Sequence, residues 1–189
     1  SPKNSKADIL GNQLKYWGRR GIHYHQFLEE GDNTLNLQLA AELYRNCILH
    51  GGFDPETWLK RYVEVMLTPG WHRDTYAEEY HRAFFDNYSN GKSLLSCGIS
   101  DYHIGGLSLI PALLASMEAL DQTDSSDQLE KVLNLVRLTH DHEYTLRAAT
   151  DLTRIFQRLI QGESIRQTLM ALPIPGVSVR LLEKWENMD

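Results

Sequence analysis

Hydrophobic residues recur along most of the chain at steps of three and four, the spacing of one face of an α-helix. The clearest series lies between Thr34 and Gly51 and comprises Leu35, Leu39, Ala40, Leu43, Tyr44, Cys47 and Ile48. It predicts an amphipathic helix that Asp32 or Asn33 caps through a side-chain oxygen. A second helix is predicted to begin at Asp54-Pro55-Glu56, where a capping carboxylate precedes a proline in the first turn, and to end before Pro69-Gly70.

A third helix is predicted from about Asp74 to Tyr88 by four aromatic residues at four-residue spacing: Tyr76, Tyr80, Phe84 and Tyr88. Packing in the core explains these aromatic residues better than stacking on nucleic-acid bases does. Further helices are predicted over residues 107–120, after a capping box at Ser125 and Gln128, and from beyond His140 to Gly162. The tail predicts a short helix, a break at Pro173-Ile174-Pro175-Gly176 and a last helix ending near Asn187. Apolar–polar alternation typical of strands is missing, so the sequence predicts a compact all-α domain.

Composition excludes several classes of protein. The 189 residues include 19 Lys and Arg against 25 Asp and Glu, which gives a net charge of −6 and disfavours nucleic acid as a partner. No apolar run approaches the length of a membrane span, so a membrane is not an expected partner. Two cysteines, Cys47 and Cys97, fit a reducing compartment, and the expected localisation is cytoplasmic.

Polar residues that could form a functional site are concentrated in four segments of the chain. Residues 29–34 bring together oxygen-bearing side chains that suit Mg²⁺ or merely cap a helix. Residues 98–106 form a glycine-containing loop that either binds phosphate or allows close backbone packing. Residues 138–143 form either an N-cap, through Thr139 or Asp141, or one wall of a ligand pocket. His23 and His25 share one face if extended, but a third zinc ligand at recognisable spacing is missing.

The order of these clusters resembles the ADP-ribosylglycohydrolase family over residues 21–162. The motifs that carry the resemblance are Gly31-Asp32-Asn33-Thr34, the segment from Gly98 to Pro111 and Leu138-Thr139-His140-Asp141-His142. The segment from Asp74 to Tyr88 is similar to the branch related to jellyfish J-type crystallins. The resemblance implies a compact orthogonal multi-helix fold whose helix-start loops converge on one cleft. It also implies hydrolysis of the glycosidic bond between ADP-ribose and an acceptor, with paired Mg²⁺ as cofactor.

The resemblance places metal ligands at Asp32 and Asn33 and substrate-binding residues at Asp101, His103, His140 and His142. The family's Thr-Asp-Asp motif is Gly31-Asp32-Asn33 here, and its Asp-x-Asp-Thr motif is absent. Loss of a carboxylate weakens Mg²⁺ binding, so the expected function is either hydrolysis or ADP-ribose binding alone. The catalytic residues are not identified by the sequence.

Four further expectations concern the domain organisation, the partner, self-association and an alternative function. Residues 1–189 form a single domain, incomplete at both ends, with residues 1–20 and 172–189 peripheral. The expected partner is ADP-ribose or an ADP-ribosylated substrate. Self-association is expected if the chain is a fragment with exposed apolar helix faces. The alternative function is a non-enzymatic structural or interaction protein of the crystallin-like branch.

Overall fold

The fold is built from α-helices. The computed structural model describes residues 4–174 and 178–186, and those residues contain no β-strand. One parallel bridge joins Ile99 to His140. The helices of the described residues are α1 (Ser5–Leu10), α2 (Leu35–His50), α3 (Pro55–Met66), α4 (Glu79–Ser89), α5 (Ile110–Ala119), α6 (Ser125–Arg137), α7 (Glu143–Ile160), α8 (Ile165–Ala171) and α9 (Val179–Glu186). Short 3₁₀ turns lie at Gly11–Tyr16, Leu94–Ser96 and Ile104–Leu107. The prediction of an all-α protein is confirmed.

The helix ends with the clearest local signals lie where the sequence predicts them. The Asp54 carboxylate accepts a hydrogen bond from the Thr57 backbone N–H at 2.7 Å, and Pro55 occupies the first turn of α3. α2 ends at His50, and its C-cap residue Gly51 adopts the left-handed conformation with φ of 72°. These ends depend only on neighbouring residues, which is why the sequence predicts them well.

Other helix starts differ from the predictions. The N-cap of α6 is Asp124 rather than a capping box at Ser125. The side chain of Gln128 donates instead to Glu118 at 2.6 Å and so ties α6 to α5. α4 begins at Glu79 and not near Asp74, because the Asp74 side chain makes contacts elsewhere in the fold.

The core lies between α2 and α5, with α6 and α7 packed beside them. Its fully enclosed side chains include Leu43, Leu59, Phe84, Phe85, Ile110, Leu113 and Met117. The aromatic series of α4 is only partly internal: Phe84 and Tyr80 are buried, whereas Tyr76 is 42% exposed. Tyr76 lies before α4 and stacks on Trp17, with ring centroids 5.2 Å apart.

The N-terminal segment contributes to this core although the sequence predicts residues 1–20 to be peripheral. Ile9 and Leu10 are buried, and the Ile9 carbonyl is hydrogen-bonded to His72 Nε2 at 2.8 Å. Ser5 donates a hydrogen bond to Asp86 of α4. In the predicted tail break, Pro175 and Gly176 lie outside the described residues, as does Asn187. Among the described helices, none combines the length and hydropathy that crossing a membrane requires.

Candidate functional site

A cleft of about 850 Å³ opens where the start of α2, the start of α4 and the loop around Asp101 meet. Small-molecule sites commonly have volumes of about 300–1,000 Å³. The cleft is lined by Tyr24, His25, Thr34, Leu35, Asn36, Asp74, Tyr76, Glu78, Glu79, Tyr80, Ile99, Ser100, Asp101, Tyr102 and His103. Four of these side chains are carboxylates, and none of the described lining residues is Lys or Arg. The cleft therefore favours hydroxyl, amide and cationic groups over bare anions.

The floor of the cleft is a hydrogen-bonded group on the first turns of α2 and α4. Asn36 donates to Glu78 Oε1 at 3.0 Å and accepts a hydrogen bond from the Tyr80 hydroxyl at 3.2 Å. Burial raises the pKa of Tyr80 well above its ordinary value, so this hydroxyl stays protonated and can donate. The second oxygen of Glu78, Oε2, is buried without a hydrogen-bond partner, and it lies 3.5 Å from His103 Nδ1. This floor presents fixed polar groups to a ligand.

The start of α2 is capped from outside the helix. Thr34 is its N-cap residue, but its side chain makes no capping hydrogen bond. The Leu35 N–H donates instead to the Asp74 carboxylate at 2.5 Å. The prediction that Asp32 or Asn33 caps α2 is therefore wrong.

The same Asp74 carboxylate holds a histidine at the cleft. Its other oxygen lies 2.5 Å from His25 Nδ1, and Asp74 itself is only 1% exposed. The His25 side chain is 35% exposed and lines the cleft. His23 does not join it as a ligand pair, because His23 Nδ1 accepts a hydrogen bond from the His25 backbone N–H.

Asp101 and His103 lie together on one wall of the cleft. The Asp101 carboxylate accepts a hydrogen bond from the His103 backbone N–H at 2.9 Å. The Asp101 carbonyl accepts one from the Thr145 hydroxyl at 2.7 Å, which attaches the loop to α7. Two of the four predicted substrate-binding residues, Asp101 and His103, therefore line the cleft.

The glycines of this loop allow close packing. A Cβ on Gly106 would lie 2.7 Å from His140 Cγ, and one on Gly98 would lie 2.5 Å from the Leu138 carbonyl oxygen. The Gly105 N–H already donates to His103 Nδ1 at 3.1 Å. Close backbone approach, one of the two sequence interpretations, therefore accounts for these glycines.

His140 lies behind the cleft wall rather than in it. It is fully buried, Nδ1 is hydrogen-bonded to the Thr139 hydroxyl at 2.8 Å, and Nε2 is buried without a partner. Burial lowers its pKa from 6.5 to about 4, although the negative charge of Asp101 opposes this shift. The ring packs against Tyr80, with centroids 4.4 Å apart. Its neighbours Ile99 and Tyr80 line the cleft.

His142 also lies outside the cleft lining. It is the N-cap of α7, and its Nδ1 accepts a hydrogen bond from the Tyr144 backbone N–H at 3.2 Å. This role differs from the predicted capping by Thr139 or Asp141. The His142 ring contacts Tyr102, with centroids 5.8 Å apart, and so supports a residue of the cleft wall.

Asp32 and Asn33 do not form a magnesium-binding group with other described residues. The Asp32 carboxylate accepts from the Glu29 N–H at 3.0 Å and from Arg73 at 3.1 Å. Arg73 already supplies positive charge there, and Asn33 contributes a neutral amide. Within residues 4–174 and 178–186, no three His, Cys, Asp or Glu side chains are grouped to hold a metal ion. Asp32 and Asn33 supply one carboxylate and one neutral amide, whereas Mg²⁺ is usually bound through one or two carboxylates and several waters.

Several cleft residues were missed by the sequence analysis: Asn36, Asp74, Glu78 and Tyr80 as polar lining groups, and His25 as the partner of Asp74. The sequence indicates His25 only as half of a possible zinc-binding pair, and it indicates Asp74 and Tyr80 only as parts of a helix pattern. Asn36 and Glu78 are 42 positions apart in the sequence, and His25 and Asp74 are 49 positions apart, so no local spacing rule reveals either pair.

Comparison with protein-family models, curated proteins and solved structures gives no match to this chain. The geometry of the cleft and the order of the sequence motifs are therefore the basis for a functional proposal.

Proposed function

We propose that the cleft binds the ADP-ribosyl group of a nucleotide or of a modified acceptor, without paired Mg²⁺. One observation carries this proposal: two motifs of the resemblance line one cleft of nucleotide size, and they are represented there by Thr34 and, 67 and 69 positions further along the chain, by Asp101 and His103. The resemblance to ADP-ribosylglycohydrolases supplies the ligand class.

The lining chemistry suits the parts of this ligand differently. Asn36, Asp101 and Ser100 offer hydrogen bonds to ribose hydroxyls on the floor and one wall. Tyr102 is 76% exposed at the rim, where its ring can stack on adenine. Because the lining is acidic, we place the diphosphate towards solvent, where the carboxylates repel it less. We therefore expect the cleft to bind ADP-ribose with moderate affinity.

Calorimetric titration with ADP-ribose, in EDTA and again in Mg²⁺, tests the proposal. We expect binding in both conditions. Tyr102→Ala is expected to weaken it about 5- to 150-fold, the range for loss of one aromatic stacking partner. Tyr144→Ala is the matched control, because Tyr144 is 67% exposed, also contacts His142 and lies outside the cleft lining.

If ADP-ribose neither releases heat nor raises the melting temperature in either buffer, the cleft does not bind it. The non-enzymatic role of the crystallin-like branch would then be the better interpretation. Equal losses in Tyr102→Ala and Tyr144→Ala would place the ligand elsewhere.

A further inference from the structure

We infer that His25 and Asp74 form a general-base dyad that hydrolyses the glycosidic bond of an ADP-ribosyl ligand in the cleft, an inference that rests on the proposed function. His25 is the catalytic residue, and Asp74 is the residue that positions it. The dyad uses this chain's own side chains and requires no metal ion.

Asp74 is fixed from both sides. One carboxylate oxygen faces His25 Nδ1 and the other accepts the Leu35 N–H, both at 2.5 Å. The residue is almost completely enclosed, so its carboxylate cannot turn away towards water. A buried carboxylate with both oxygens engaged holds an imidazole in one orientation and one tautomer.

The backbone holds the same two segments together. The Thr75 N–H donates to the Tyr24 carbonyl at 2.9 Å, directly beside the side-chain pair of His25 and Asp74. The Tyr24 ring packs edge-on against His25, with centroids 4.4 Å apart. The geometry of the dyad is therefore organised before any ligand binds, which favours general-base catalysis.

The free nitrogen of His25 is available to the cleft. When Nδ1–H donates to Asp74, Nε2 carries the lone pair, and no described group forms a hydrogen bond to it. The side chain is partly exposed among the lining residues. Nε2 can therefore accept a proton from a water molecule in the cleft, and Asp74 stabilises the resulting imidazolium.

The reaction balances with water alone. The water oxygen bonds to the anomeric carbon of the ribose, and one water proton passes to His25 Nε2. The bond from that carbon to the acceptor breaks, and the acceptor atom keeps the electron pair and takes a proton from solvent. His25 then returns its proton to solvent, so no oxidant or reductant is consumed.

The test measures ADP-ribose release from peptides that carry ADP-ribose on serine or on arginine, in EDTA. We expect turnover of at least one peptide by the unaltered protein and a loss of about 100-fold or more in His25→Ala. Added imidazole is expected to restore part of the rate in His25→Ala, which a purely structural role would not allow. Asp74→Asn keeps an oxygen for the Leu35 N–H but alters the imidazole tautomer, so it is expected to lose a similar factor without rescue.

His50→Ala is the control, because His50 ends α2, about 22 Å from Leu35 along the helix, and lies outside the cleft lining. Circular dichroism of each variant establishes that it is folded. If the protein binds ADP-ribose but releases none from either peptide, the dyad is refuted and the proposed binding function stands. Full turnover in His25→Ala, or a loss that imidazole does not restore, also refutes the dyad. A protein that neither binds nor releases ADP-ribose refutes both proposals.

Discussion

The buried imidazole of His140 predicts a measurable dependence of stability on pH. In the unfolded chain its pKa is about 6.5. In the folded protein, burial lowers the pKa to about 4, because a charged ring would lose its hydration with only Asp101 to compensate and with His103 opposing. Between these two values the unfolded state binds more protons, so stability is present above pH 6.5 and is lost as the pH falls.

The magnitude follows from the two pKa values. Between pH 7.5 and pH 5.0, preferential protonation of the unfolded chain at this single site lowers the free energy of unfolding by about 2 kcal/mol. His72 and His81 are also buried, and burial lowers the pKa of each. The free energy of unfolding of the whole protein is therefore expected to fall by more than His140 alone accounts for. A variant that lacks only His140 measures the contribution of this residue to the pH dependence.

The assay is urea unfolding followed by circular dichroism at the two pH values, for the unaltered protein and for His140→Asn. The asparagine keeps a polar group near the Thr139 hydroxyl and does not titrate. We expect the loss of stability between pH 7.5 and pH 5.0 to be about 2 kcal/mol smaller in His140→Asn. His23→Asn, at an exposed histidine, is the control substitution. Equal pH dependence in the unaltered protein and in His140→Asn would refute the reasoning from burial.

Two further changes test the packing of the core and of the loop beside His140. Phe84→Ala removes a fully enclosed ring that packs edge-on against Tyr62, with centroids 5.1 Å apart, and it is expected to cost about 3–5 kcal/mol in urea unfolding. A loss below about 1 kcal/mol would mean that Phe84 is not a core residue. Gly106→Ala places a methyl group 2.7 Å from His140 Cγ and is expected to cost about 1–3 kcal/mol. Combining it with His140→Ala should recover part of that cost in a double-mutant cycle, whereas strict additivity would show that the two residues do not collide.

The sequence predicts the helices well wherever the signal is local. The capping carboxylate of Asp54 and the left-handed Gly51 act on residues within one turn, and both define helix ends correctly. The aromatic spacing from Tyr76 onward is misleading, because Tyr76 continues the four-residue step of α4 while lying outside it on Trp17. Periodicity reports which positions are apolar, but it does not report which backbone groups find partners in distant parts of the chain.

The candidate site depends on such distant partners. Asn36 meets Glu78 across 42 positions, and His25 meets Asp74 across 49. Neither pair leaves a local signature, since each residue alone has an ordinary role in a loop or a helix start. The loop of Asp101 and His103 was predictable because its glycines indicate close backbone approach, and Gly106 packs closely against His140.

The position of Asp74 explains why fold and site cannot be separated at the start of α2. A helix leaves its first N–H groups without internal partners, and a nearby side chain normally accepts from them. Here a residue 39 positions away accepts from Leu35, and it places a carboxylate at the positive end of the helix dipole, where negative charge is favourable. Because the other oxygen of this carboxylate orients His25, the interaction that begins α2 also sets the geometry of the cleft. Asp32, which the local pattern predicts as the cap of α2, instead accepts a hydrogen bond from Arg73.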